Sequence, residues 1–369
     1  MVRKQDQIYG CLLGAAAGDA LGFCVEELTL EDIHEKYGPD GIQGYDTVNG
    51  FATVSSHTQL AMFTANGLLF GATRGATRGV MAPYVQYLEA AYRDWSKTQH
   101  YGGWKNRGKC YCWLCSLEPL YSRRNPEPAV LYALERPQAG TMEEPVNRSQ
   151  GPNGMARSIP IGLFFHPTET SPSEIRLLGA ESAALTHGDP LGFLPAAYLT
   201  DLLNRIVYRN AESFRSVLKR TRTAMSQYFG SRFSQIRTLE SKLDWAEAMA
   251  ETSTSPEEAL SQQRPTDAAS VLASACYICL KYPGDYDRGI VAAVNHSGLS
   301  SALGLAPSWA LKSGQREFPN FIWNLWNSGK FSQNWPATSF RAVPCPAMPD
   351  CLTINGTKST FNVVTKKAT

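Results

Sequence analysis

Ile8-Tyr9-Gly10-Cys11-Leu12-Leu13-Gly14-Ala15-Ala16-Ala17-Gly18-Asp19-Ala20-Leu21-Gly22 is the stretch on which the reading of this chain turns. Ile8, Leu12, Ala15 and Asp19 share one face at helical spacing. Asp19 ends an apolar stripe, so its carboxylate is expected to be buried or to line a cleft. A buried carboxylate needs partners. Two readings stand side by side: a helix-end acid bonding nearby backbone amides, or a support for a functional site. Two other short segments are as polar and compact: Ser55-Ser56-His57-Thr58-Gln59-Leu60, and Asn295-His296-Ser297-Gly298-Leu299-Ser300-Ser301-Ala302.

Working outward, helical periodicity recurs. Thr58 to Phe70 carries Leu60, Phe63, Thr64, Gly67 and Leu68 on one side, and Pro83 to Asp94 carries Tyr84, Tyr87, Leu88 and Ala91. Ser173 to Thr186 predicts a helix capped by Ser173 and stopped by His187-Gly188-Asp189-Pro190. Leu191 to Val207 starts another, with helical character through Met225. Thr266 to Lys281 and Tyr286 to Asn295 follow, separated by the turn Pro283-Gly284-Asp285. Residues 98–109 and 143–160 are rich in Gly, Pro, Asn or Ser and predict loops. Few alternating β-branched runs precede Pro307. The expectation is all-α: a compact multi-helix domain over 1–306, then an irregular or extended tail over 307–369.

Composition narrows the classes. The chain has 369 residues, 43% hydrophobic and 18% charged, with a formal net charge of +2. That balance, with no long basic run, argues against a nucleic-acid partner. No stretch approaches the roughly 18 uninterrupted apolar residues of a membrane span. Asp19 breaks the only apolar run near the amino end, which argues against a signal peptide. Nine cysteines then read as reduced thiols, and the location expected is cytoplasmic.

In order and spacing, the motifs resemble the ADP-ribosylglycohydrolase family. Gly18-Asp19-Ala20-Leu21-Gly22 with the acid Glu26 is similar to its opening motif. Tyr121-Ser122-Arg123-Arg124-Asn125-Pro126 resembles the segment after its large loop. Gly151-Pro152-Asn153-Gly154-Met155-Ala156-Arg157-Ser158-Ile159-Pro160-Ile161-Gly162 resembles its Gly-rich ligand loop, with Ala156 where a Met is usual. Thr186-His187-Gly188-Asp189-Pro190-Leu191-Gly192 resembles Thr-His-Gly-His-Pro-x-Gly, with Asp189 for the second His. The set runs colinearly from Ile8 to about Gly304.

The resemblance implies removal of ADP-ribose from modified proteins with two Mg²⁺ ions. It also implies a middle motif Ser/Thr-Asp-Asp-Thr and a late motif Gly-Asp-x-Asp-Ser/Thr. Here those acids are Ser56, His57, Leu299 and Ser301, and Ala302 stands where a hydroxyl is offered. The family-equivalent metal positions are thus Glu26, Ser55, Ser56, His57 and Ser301, and Glu26 is the remaining catalytic acid. Magnesium wants near-octahedral oxygen. Neutral hydroxyls do not offset its dehydration, so Mg²⁺ binding is expected to be weak or absent. The ligand positions implied are Asp19, Phe23, Gly151, Asn153, Gly154, Arg157 and His187, since backbone N–H groups of a Gly-rich loop hold pyrophosphate without metal.

The leading expectation is a catalytically impaired homologue that keeps ADP-ribose, or an ADP-ribosylated protein, as partner. Two others stay open: an active hydrolase of altered metal dependence using Glu26, Ser55, His57 and water, and an interaction module with an inert pocket. A zinc or iron site of His57, His296 and Glu26, a zinc site of Cys110, Cys112 and Cys115, and a serine triad around His296 are weaker alternatives. The cysteine set lacks a fourth ligand, and no acid orients His296.

Overall fold

The computed structural model describes residues 2–47, 51–100, 103–106, 108–208, 213–310, 353–357 and 360–364. The chain runs through α1 (Val2–Phe23), α2 (Leu30–Tyr37), α3 (Ser56–Arg78), α4 (Tyr84–Thr98), α5 (Pro128–Glu135), α6 (Asn153–Ala156), α7 (Ile159–Phe164) and α8 (Pro172–Ala184). It continues through α9 (Pro190–Tyr208), α10 (Phe214–Phe229), α11 (Ile236–Ala250), α12 (Pro256–Gln263), α13 (Ala268–Lys281), α14 (Tyr286–Val294) and α15 (Ser300–Gly304). The all-α expectation holds for this body. The only strands among the described residues are Thr353–Thr357 and Thr360–Val364, an antiparallel pair pairing Thr353 with Val364 and Thr357 with Thr360. Both strands fall within the tail expected to be irregular or extended. Pro344-Cys345-Pro346, Pro349-Asp350-Cys351 and Lys366-Lys367 lie outside the described residues.

Side-chain caps set seven helix starts, those of α2, α3, α8, α10, α12, α13 and α14. Thr29 and Asp32 form a reciprocal capping box on α2, and Asp267 with Ser270 does the same on α13. On α8 the cap is Ser171, boxed with Glu174, rather than Ser173. Pro172 occupies the first turn, where its missing N–H costs nothing. The span 143–160 is not all loop. It contains α6 and the start of α7, with Pro160 in the first turn of α7. Helices α2, α5, α11 and α12 were not anticipated.

The main core lies where α9 and α13, buried nearly all round, meet α8, α10, α11 and α15. Phe193, Tyr198, Leu202, Val271, Leu272 and Tyr277 fill it. A second core joins α3, α4, α5, α7 and α8 around Phe63, Tyr92 and Trp95. A third joins the end of α1 to α2 and α14 through Leu21, Ile33, Ile42 and Ile290. The packed body runs through the 3-10 turn Ala306–Ala310, which rests on α1, α13 and α14.

Helix α1 crosses α15 backbone to backbone. A Cβ on Gly18 would sit 1.8 Å from the Gly304 carbonyl oxygen, and one on Gly22 would sit 2.2 Å from the Ser300 carbonyl oxygen. This approach carries the late motif to the end of α1. Overpacking a close contact costs about 1–3 kcal/mol. Gly18→Ala is expected to cost at least that much unfolding free energy, read as a lower urea midpoint at unchanged slope. An unchanged midpoint would contradict the crossing.

Candidate functional site

The amino end of α3 is the hub. A helix start leaves its first N–H groups without intrahelical partners. Here each finds one. The Ser55 and Thr58 N–H groups donate to Asp19 Oδ2 at 3.0 and 3.3 Å, and the Thr58 hydroxyl donates to the same oxygen at 2.5 Å. The Ser56 N–H donates to the Arg124 carbonyl at 2.8 Å, and the His57 N–H to Ser55 Oγ at 3.1 Å. Asp19 is fully buried. Its carboxylate locks the end of α1 to the start of α3, and its other oxygen, Oδ1, has no hydrogen-bond partner among the described residues. Burial raises its pKa above the ordinary carboxylate value, against opposing pulls from His57, Ser55 and Thr58.

His57 bridges the middle and late motifs. Its Nδ1 lies 2.9 Å from Ser55 Oγ and 3.2 Å from Ser301 Oγ. Its Nε2 is buried and has no hydrogen-bond partner among the described residues. The Ser301 N–H donates to Glu26 Oε2. Burial raises the Glu26 pKa, opposed by the field of His57 and the bonds from Ser301. Leu299 contributes no oxygen. Its N–H donates to the Pro265 carbonyl at 3.0 Å, and its side chain packs against the main core.

A second polar strand runs from Ser56. Asn153 Nδ2 donates to Ser56 Oγ at 3.0 Å, and the Ser56 hydroxyl donates to the Asn125 carbonyl at 3.2 Å. The Asn153 backbone N–H donates to Glu127 Oε1 at 2.8 Å. Glu127 Oε2 lies 2.9 Å from His187 Nε2, and His187 Nδ1 lies 2.8 Å from Thr186 Oγ1. Arg157 closes the strand. It is fully buried, stacks on the Tyr92 ring at 4.0 Å, and donates to the Ser182 carbonyl and to Thr186 Oγ1. Burial lowers its pKa.

Glu127 is the residue that sequence reasoning missed. It follows directly on the segment ending at Pro126, so its nearness was visible but its target was not. Gly151 is the glycine that admits it: a Cβ there would fall 2.1 Å from Glu127 Oε2. Gly154 admits His187, whose Nδ1 would stand 2.9 Å from a Cβ. Among the implied ligand positions, Asn153, Gly154, Arg157 and His187 are buried, whereas Phe23 and Gly151 are half-buried. His296 is buried, and burial lowers its pKa to about 4 against the pull of backbone carbonyls at Ser297 and Ala293. Glu26, His57 and His296 do not form a metal cluster. Among the described residues, the only three His, Cys, Asp or Glu side chains with ligand atoms mutually within 4.8 Å lie elsewhere, at Asp94, Cys110 and Cys115. No helix among the described residues is long and apolar enough to cross a membrane.

The donor chemistry at the centre is therefore two carboxylates, an imidazole and neutral hydroxyls. Glu26 already accepts an N–H, and Asp19 already caps a helix.

Burial pushes the Glu127 carboxyl up, but the bond from His187, the fields of His187 and His57 and the Asn153 N–H bring it below its ordinary 4.5. A depressed acid stabilises the fold fully above its unfolded pKa, and that share is lost as pH falls through the folded value. Glu127→Gln should lower stability by about 1–3 kcal/mol at pH 7, the range for a hydrogen-bonded charge. The gap to wild type should narrow towards pH 4. Urea titrations at both pH values check this, and a gap that widened in acid would contradict it.

Residues 1–305 match the family model described as ADP-ribosylglycohydrolase. A solved structure described as an "ADP-ribosylglycohydrolase-related protein complex" resembles the chain with a TM-score of 0.55 at 21% identity. The match covers 89% of this chain and 96% of that one, and at that identity it speaks for the fold. No curated protein matches the chain.

Proposed function

Because the chain belongs to the ADP-ribosylglycohydrolase family, we propose that it binds ADP-ribose without metal and does not cleave it efficiently. The observation that carries this reading is the His57 imidazole, held between Ser55 Oγ and Ser301 Oγ where the middle and late motifs meet. Two Mg²⁺ ions bring four positive charges and demand hard oxygen ligands in octahedral array. The residues present do not fit that pair. Ser56, His57, Leu299 and Ser301 supply no carboxylate, the hydroxyls of Ser55 and Ser301 face an imidazole, and Glu26 is hydrogen-bonded to the Ser301 N–H.

Cleavage at the anomeric carbon passes through an oxocarbenium-like state that nearby anions and an activated water favour. Losing even about 4 kcal/mol of that help slows turnover roughly a thousandfold. Binding has separate needs. In this reading the half-buried Gly151 lies beside the pyrophosphate, which reaches the buried Asn153 N–H when Glu127 moves aside, and Phe23 packs on the base or ribose. Asp19, Arg157 and His187 act from behind, by fixing α3, the Gly-rich loop and Glu127. Glu127 is an anion already seated on the Asn153 N–H, so it competes with pyrophosphate for that donor.

Calorimetry tests the proposal. ADP-ribose should bind with no added Mg²⁺, and Glu127→Gln should tighten it about tenfold, a gain near 1.4 kcal/mol. Wild type should release no ADP-ribose from modified arginine or serine peptides. The quadruple change Ser56→Asp, His57→Asp, Leu299→Asp and Ser301→Asp should gain magnesium-dependent release. Magnesium-stimulated release by the wild type would sink the proposal. Absence of heat in both wild type and Glu127→Gln would favour the inert-pocket interaction module instead.

A further inference from the structure

We propose that Asp94, Cys110 and Cys115 form a three-ligand zinc site, open to water at its fourth position, that staples the loop after α4 onto that helix. Among the described residues, the segment between α4 and α5 contains three short 3-10 turns, Trp104–Asn106, Trp113–Ser116 and Glu118–Leu120. Long connections of this kind are uncommon in packed domains unless something pins them. The pin is Asp94. It is buried on α4, and its Oδ2 accepts the Tyr111 and Cys112 N–H groups at 2.6 and 2.8 Å. Its Oδ1 accepts from Lys97 Nζ at 2.7 Å, and Lys97 also donates to the Lys109 carbonyl at 2.9 Å.

One ligand atom from each of Asp94, Cys110 and Cys115 lies within 4.8 Å of the other two. Zinc holds thiolates at about 2.3 Å in a tetrahedron, which sets donors about 3.7 Å apart. Closing the cluster therefore takes side-chain movement of about an ångström. Asp94 Oδ2 spends both lone pairs on the Tyr111 and Cys112 N–H groups, and Oδ1, with one engaged by Lys97, keeps one for zinc. Water completes the fourth position.

Charge favours a dication here. Two thiolates and a carboxylate carry three negative charges, and zinc with the Lys97 ammonium carries three positive ones. Lys97 Nζ stands 4.0 Å from Cys110 Sγ, close enough to share in that balance. A neutral total removes the cost of burying unpaired charge. Soft sulfur selects zinc over magnesium. The cysteine spacing alone suggested Cys110, Cys112 and Cys115 without a fourth partner. Folding exchanges the ligand role of Cys112 for an aspartate from a different element, and uses the Cys112 backbone to hold that aspartate.

The test uses the full chain purified without chelator from zinc-supplemented medium. Elemental analysis is expected to find about one zinc per chain, falling at least about tenfold in Cys110→Ser/Cys115→Ser. Cys24→Ser, which lies outside the cluster, is expected to keep its zinc. Cobalt exchanged into the wild type should show a thiolate-to-cobalt charge-transfer band that the double variant lacks. The wild-type stoichiometry and cobalt spectrum need no variant, so a double variant that failed to fold would leave both readouts intact. Zinc far below one equivalent in the wild type, zinc retained in a folded double variant, or a Cys110–Cys115 disulfide in its place would each overturn the proposal. None of these readouts depends on ADP-ribose.

Discussion

A single buried carboxylate, Asp19, holds the start of α3 to the end of α1, and the polar centre is assembled around that joint. Three donors converge on its Oδ2, from Ser55 and Thr58. An anion at a helix amino end also meets the positive end of the helix dipole. Two consequences follow. Ser55, Ser56 and His57 are fixed in direction, and α3 has its first-turn N–H groups already engaged. The glycine crossing of α1 with α15 brings Ser301 to the same point. Backbone geometry thus gathers the three motifs at one point.

The electrostatics of the centre are correspondingly modest. Asp19 and Glu26 are both raised by burial, which disfavours the charged carboxylate, against the field of His57. A bound dication would pull both down. The side chains of the centre bond one another, from Ser55 through His57 to Ser301 and from Ser56 through Asn153 to Glu127. Glu127 also fills the hollow that Gly151 leaves open. The Gly-rich loop therefore carries its own anion, a feature that separates its capacity to bind phosphate from its shape.

What the residues alone revealed follows physical range. Local signals read well: the apolar stripe ending at Asp19, the periodicity of α3, α4, α8, α9, α13 and α14, and the lack of β-patterned segments before Pro307. Of the two readings weighed for Asp19, the structure shows it bonding backbone amides, though those of a helix distant in sequence. Colinear motifs pointed to the family. Short or strongly polar helices escaped. Helix α6 has four residues inside a Gly-rich stretch, and α11 presents charged residues on its open face. The cap of α8 was misplaced by two residues because Ser171 and Ser173 both suit the role, and only the box with Glu174 decides between them. Contacts between distant elements were out of reach. Nothing local assigns Glu127 to His187 or Asp94 to the cysteine loop, because those pairings depend on how α4, α5 and α8 pack.

The most direct measurement is crystallography of the full chain in millimolar Mn²⁺, a close stand-in for Mg²⁺ with usable anomalous scattering. The account predicts no ordered ion beside Glu26, and His57 still bridging Ser55 and Ser301. Two anomalous peaks next to Glu26, with the His57 ring displaced, would contradict it.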